Sequence, residues 1–155
     1  MHALPIAGRL HHAELSDILD AILPLAAELD APLPGLSVRL VDAYDRIAGQ
    51  VVPHMEQTES TLYPQLERLM QNRHSMTPMR RDHAEVRLLI DELGALAGRD
   101  LTLANRLRLR RILYRLFALL KIHLGEEEAY LGVLDHNLSP AEQDELVRAM
   151  EHALA

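Results

Sequence analysis

The chain of 155 residues contains no cysteine, which removes disulfides, thiolate zinc sites, iron–sulfur clusters and cysteine nucleophiles together. Aromatic residues are scarce, with no tryptophan and one phenylalanine. No β-branched run reads as a strand, so helices are favoured over sheets. No apolar run approaches the roughly 20 residues that a membrane span needs. Positive charge is also short: the formal net charge is −7 with histidine neutral. A nucleic-acid partner is therefore disfavoured, because little here neutralises a row of phosphates. The stretch Arg106 to Arg115 is the exception, but its arginines alternate with Leu and Ile at helical spacing and read as a solvated helix face. Met1 to Leu10 lacks the basic start of a secretory signal and runs directly into histidines. With the absence of cysteine, this fits a cytoplasmic protein.

What the chain does have is Leu and Ala in helical periodicity, at a length that suits one domain over residues 1–155. A first helix is expected from about Gly8 to Leu29, with Leu15, Leu19, Ile22, Ala26 and Leu29 on its apolar stripe. Two prolines and a glycine between Asp30 and Gly35 break it. A second helix from about Leu36 carries Leu40, Tyr44, Ile47, Val51, His54, Thr58 and Leu62, with kinks at Pro53 and Pro64. After a turn over Gln71 to Thr77, with Thr77 as N-cap and Pro78 at the first helical position, a third helix aligns Met79, His83, Val86, Ile90, Leu93 and Ala97. The fourth aligns Leu109, Ile112, Leu116, Leu120, His123, Glu127, Tyr130 and Leu134. Ser139-Pro140-Ala141-Glu142 is a capping box that opens a short fifth helix. Short connections between long amphipathic helices make the expected fold class all-α, an up-down-up-down four-helix bundle with a short C-terminal helix.

Four histidines interrupt these stripes, one per helix: His12, His54, His83 and His123. An imidazole in an apolar stripe is carried into the core, where an unpaired polar group is costly. One such residue reads as a core histidine with a carbonyl partner. Four, on four helices, point to convergence on a metal ion. His123 and Glu127 lie one turn apart on the same face, so imidazole and carboxylate can reach one metal or two neighbouring ones. Ligands of this kind without thiolate suit iron, manganese or zinc. Residue counts from the connecting turns place His12 level with His54. They leave His83 and His123 about eight residues apart in height, roughly 12 Å.

The segments His54-Met-Glu-Gln-Thr-Glu-Ser-Thr-Leu-Tyr-Pro64, Asp82-His83-Ala-Glu, His123-Leu-Gly-Glu-Glu-Glu and His11-His12-Ala-Glu-Leu, in their order along the chain, resemble the hemerythrin-like (HHE cation-binding) domain family from about Leu10 to Asp135. The resemblance implies a four-helix bundle with a non-haem centre of two iron ions. It makes His12, His54, His83 and His123 imidazole ligands and Glu127 a bridging carboxylate. The expected partner is a small diatomic ligand or peroxide, in sensing, scavenging or peroxide decomposition, with catalase-like or other redox activity left open. The chain departs from the family pattern at Thr58, where a glutamate is usual. Glu59 is the preferred replacement and would complete the bridge; the Tyr63 phenolate is the alternative, and a single or unfilled metal position is a third. His83 is followed one turn later by Arg87 rather than by a further histidine, which favours sensing or redox chemistry over oxygen carriage.

Other residues receive plainer readings. His11 competes with His12 for the first ligand position, and His2, His74, His136 and His152 are read as structural. Tyr44 is core packing, Tyr130 is placed to donate a hydrogen bond to Glu127, and Glu128 is a candidate outer partner of the ligands. Two other functions are weighed. A metal-free bundle that binds a protein partner requires that the four histidines do not converge. A ferritin-like oxidase needs Glu-x-x-His on two helices, and no histidine here has Glu three residues before it.

Overall fold

The computed structural model of the protein describes Ile6, Leu10 and residues 12–153. Among these, every regular element is helical: α1 (His12–Asp20), α2 (Ile22–Glu28), α3 (Leu36–Gln57), a π-turn (Thr58–Leu62), α4 (Tyr63–Leu69), α5 (Thr77–Ala97), α6 (Leu103–Asn137) and α7 (Pro140–His152). The expected all-α bundle with a short terminal helix is what forms. The α1–α2 pair packs on α3 and α6, α3 packs on α5, and α5 on α6, so four helical legs close into a ring. No helix among the described residues is long and apolar enough to cross a membrane.

Each leg departs from regularity where its sequence forces it. The first divides at Ala21, because Pro24 has no N–H to give the carbonyl of Asp20. Its expected start at Gly8, like His2 and His11, lies outside the described residues. In the second leg Pro53 is accommodated inside α3. Ahead of Pro64 the chain widens into the π-turn, where the Tyr63 amide reaches back five residues to the Thr58 carbonyl. The third leg corrects an expectation: Met76, not Thr77, is the N-cap of α5. The Thr77 amide is already paired with the His74 carbonyl at 3.1 Å, so the preceding turn runs straight into the helix. The capping box at α7 forms as read, with Ser139 and Glu142 bonded reciprocally.

The apparent mismatch in height between His83 and His123 disappears, because α6 has 35 residues against 21 in α5. The N-terminal turns of α6 project past the end of α5 and close over the end of α2. There Arg106 donates to the Leu29 carbonyl at 3.1 Å and Arg110 pairs with Asp30 at 2.6 Å. Part of the arginine-rich face is thus tied to neighbouring elements by ion pairs, including Arg115 with Glu85.

Apolar burial is divided between two clusters. The larger runs from Leu15 and Leu19 through Ile47 and Ile90 to Leu116 and Leu124. Tyr44 packs against it, as expected, and its ring occupies the space that a side chain at Gly94 would need. The smaller gathers Ile6, Leu10, Leu62, Leu66, Met79, Leu131 and Leu146 at the other end. A layer of buried polar residues lies between them.

Candidate metal centre

The polar layer occupies one level of all four legs. Residues on one side of it along the chain (Leu15, Val51, Val86 and Leu120) belong to the larger apolar cluster. Met79, Leu66 and Leu131, on the other side, belong to the smaller. Alternation of direction from leg to leg is what lets residues at 12, 54, 83 and 123 meet at the same height.

Glu127 is the centre of the layer. Its Oε1 lies 3.0 Å from His12 Nε2 and 2.9 Å from His54 Nε2. Its Oε2 lies 3.5 Å from His123 Nε2 and accepts the Tyr63 hydroxyl at 3.0 Å. Nε2 of His83 and of His123 are 2.9 Å apart. Two groups able to hold a metal ion result, His12–His54–Glu127 and His83–His123–Glu127, and Glu127 is common to both. The four rings converge, which is the opposite of what a metal-free interaction module requires.

The structure does not bring Glu59 into either group. Glu59 Oε1 lies 2.6 Å from His83 Nδ1, on the far side of that ring from Glu127. Arg87 grips the same carboxylate with both terminal nitrogens, at 3.0 and 3.2 Å. The inward position is taken instead by the Tyr63 hydroxyl, 3.1 Å from His83 Nε2 and 3.3 Å from His123 Nε2. The π-turn is the reason. In an uninterrupted α-helix Tyr63, nine residues after His54, would face about 180° away from it. One extra residue in the turn rotates it back, as π-turns at functional sites do. Thr58, in the place of the usual glutamate, is buried and satisfied by its own helix, its hydroxyl donating to the Met55 carbonyl at 3.0 Å.

Several further expectations meet the structure here. Glu128 is exposed and lies 3.6 Å from His12 Nδ1, too far for a hydrogen bond. Tyr130 packs against the smaller apolar cluster, and Tyr63 makes the phenolic bond to Glu127 expected of it. His74, His136 and His152 are exposed, and His136 bonds the Gly132 carbonyl. Asp82 had no expected role, yet its carboxylate lies 3.1 Å from His123 Nδ1. Its position beside His83 gave some sign of it. Nothing local marks Arg87 as the partner of Glu59.

The electrostatics follow from crowding. Burial alone would raise Glu127, but hydrogen bonds from His12, His123 and His54 hold it well below the usual carboxylate range. Burial and the neighbouring His123 push His83 down to about 4. Burial opposes protonation of His123 too, but Glu127 and Asp82 overcome it and raise the ring. Burial and the Glu127 charge push the Tyr63 phenol up, so it keeps its proton unless a cation replaces it. Burial would also raise Glu59, and bonds from Arg87 and His83 bring it below its ordinary value.

The donor set fits a cation. The Nε2 atoms of His83 and His123, the Tyr63 hydroxyl and Glu127 Oε2 crowd one space, 2.9–3.5 Å from one another where they meet, while the outer nitrogen of each of these two rings faces a carboxylate. Two imidazole nitrogens, a phenol oxygen and a carboxylate oxygen turned toward one point are donors that a cation accepts.

A family model, the hemerythrin HHE cation-binding domain, matches residues 9–131, a span that contains all of these residues. No curated protein matches the chain, and no solved structure does.

Proposed function

The chain belongs to the hemerythrin HHE cation-binding domain family, and from that premise we propose that it holds two iron ions and binds a small ligand there: dioxygen, nitric oxide or peroxide. His12, His54 and Glu127 would hold one ion, and His83, His123, Tyr63 and Glu127 the other. The observation that carries this reading is that the two oxygens of Glu127 face two separate histidine pairs, as a bridging carboxylate must. Tyr63 replaces Glu59 as the additional oxygen ligand, and Glu59 orients His83 from outside.

Bound iron supplies redox chemistry and a coordination position for the small ligand. The chain's own residues prepare for it. Glu127 is kept ionised by its imidazole neighbours. Asp82 and Glu59 fix the tautomers of His123 and His83, leaving both Nε2 atoms free to bind. The apolar clusters on either side of the layer keep bulk water away. Tyr63 gives up its proton when a cation is bound, and cation binding therefore releases protons. With Arg87 rather than a further histidine one turn after His83, the centre suits sensing, scavenging or peroxide decomposition in the cytoplasm better than oxygen transport.

The test is iron content with the visible spectrum of the oxidised protein, for wild type and Tyr63→Phe. About two irons per chain and a phenolate-to-iron band absent from Tyr63→Phe are expected. No iron after anaerobic loading would overturn the proposal. Two irons with no such band would return the oxygen-ligand role to Glu59.

A further inference from the structure

The two halves of the layer are built differently. His83 and His123 are 0% and 1% exposed, and each has a carboxylate on its outer nitrogen. Glu59 is itself pinned by the two-pronged Arg87 contact. Carboxylates in this relation fix the ring and strengthen its donor nitrogen. The inner nitrogens of these two rings are also crowded, 2.9 Å apart and 3.1 and 3.3 Å from the Tyr63 hydroxyl.

The other half lacks both features. His12 and His54 rest on Glu127 Oε1 through ordinary hydrogen-bond distances, so these contacts do not need a cation. His12 Nδ1 is buried with no hydrogen-bond partner among the described residues. This half also meets the outside. His54 and His12 are 7% and 4% exposed. A groove of about 380 Å³ has His54 in its lining, with Leu10, Glu14, Pro53 and Gln57.

We propose that the two metal positions are inequivalent: the His83–His123 position fills first and holds its ion, the His12–His54 position exchanges its ion through the groove, and Glu59 and Asp82 are the positioning residues that separate them. The proposal rests on the reading of the layer as a two-metal centre and adds an order of filling.

Co(II) is a suitable probe, since its visible absorption reports the ligands around it. The metal-free chain is titrated with Co(II), then stripped by an excess of chelator while the spectrum is followed. Wild type is expected to bind two ions with different spectra and to release them in two phases at least about tenfold apart. His12→Ala should bind one ion with the first-ion spectrum and keep only the slow phase. Glu59→Gln and Asp82→Asn should shift the first-ion spectrum and speed the slow phase about 10–100-fold, the usual effect of losing an outer partner, with the fast phase unchanged. Arg87→Gln, which leaves every ligand and its outer carboxylate in place, should act in the same direction but less. Thermal melting of each metal-free variant separates misfolding from lost positioning. Two ions that leave wild type together, or a slow phase lost in His12→Ala, would overturn the order of filling alone. A wild type that takes up no ion would overturn the two-metal reading as well.

Discussion

The two apolar clusters on either side of the polar layer are unequal, and the difference shows what each half of the molecule depends on. The larger is assembled from all four legs, with leucine and isoleucine interlocking from Leu15 to Leu124. The smaller draws on two or three residues each from the N-terminal segment, the π-turn with α4, the ends of α5 and α6, and α7. Burial alone accounts for the first. The second is joined to it through a layer whose polar side chains crowd one space. Hydrophobic packing thus builds a frame at one end, and under the proposed function a cation would complete the other.

The sharpest way to separate the halves is to damage only the larger. Leu93 is fully buried there, so Leu93→Ala should cost about 2–5 kcal/mol, read as a lower melting temperature and denaturation midpoint. Metal content per folded chain should not change. A loss of metal with the fold retained would show that the frame and the centre are not separable.

Metal removal probes the opposite end. At an ion concentration 100-fold above its dissociation constant, binding stabilises by about 2.7 kcal/mol. Chelation should therefore lower the melting temperature. Amide exchange should rise most in the π-turn, α4 and α7, and least in α2 and the half of α5 from Val86 onward. Uniform exchange across the chain would remove the distinction.

Acidification should reach the metal-free layer before the frame. Glu127 and Glu59 sit below their ordinary values, so their contribution is present above the usual carboxylate range and fades as pH falls through it. His83, near 4, resists a proton that the unfolded chain accepts at about 6.5, so stability falls as pH drops between those values. The raised His123 acts the other way, contributing at low pH and losing its share as pH rises through its folded value. Between 6.5 and about 4 His83 sets the slope, because the contribution of His123 is already complete below 6.5 and the carboxylates lose theirs only at and below their ordinary value of 4.5. The melting temperature of metal-free protein should decline from about pH 6.5 to 4, and a flat profile would contradict these assignments.

The smallest effect belongs to the rim of the smaller cluster. Ser139 caps α7 reciprocally with Glu142, and Ser139→Ala should cost about 1 kcal/mol. Exchange should rise in α7 with metal content unchanged.

How far the centre could be read from sequence differs in the same way between regular and irregular helix. His12, His83, His123 and Glu127 sit in uninterrupted helical periods, so counting in threes and fours was enough to align them, and His54 falls just before the irregularity. Tyr63 was harder to place. Its direction depends on one residue inserted by the π-turn, which no periodic pattern shows, and Glu59 then looked the better candidate because it stands five residues after His54, a His-to-carboxylate spacing that the resembled family uses in its last helix. Glu59 faces outward for a reason distant in sequence, the guanidinium of Arg87. The heights of His83 and His123 were obscured by the unequal lengths of α5 and α6, while the bundle order was plain from breaks at Asp30–Gly35, Gln71–Thr77 and Gly98–Asp100. Ala21 shows the finer limit: Pro24 was visible, but the division of the first leg was not anticipated.

The claim at the centre of this account is that one carboxylate serves two metal positions. The direct test is metal stoichiometry of Glu127→Gln beside wild type, with melting and circular dichroism to confirm that the variant is folded. A bridging role predicts about two ions per wild-type chain and weakened binding at both positions in a folded variant. A variant that keeps both ions, or loses one while holding the other at wild-type affinity, would contradict it.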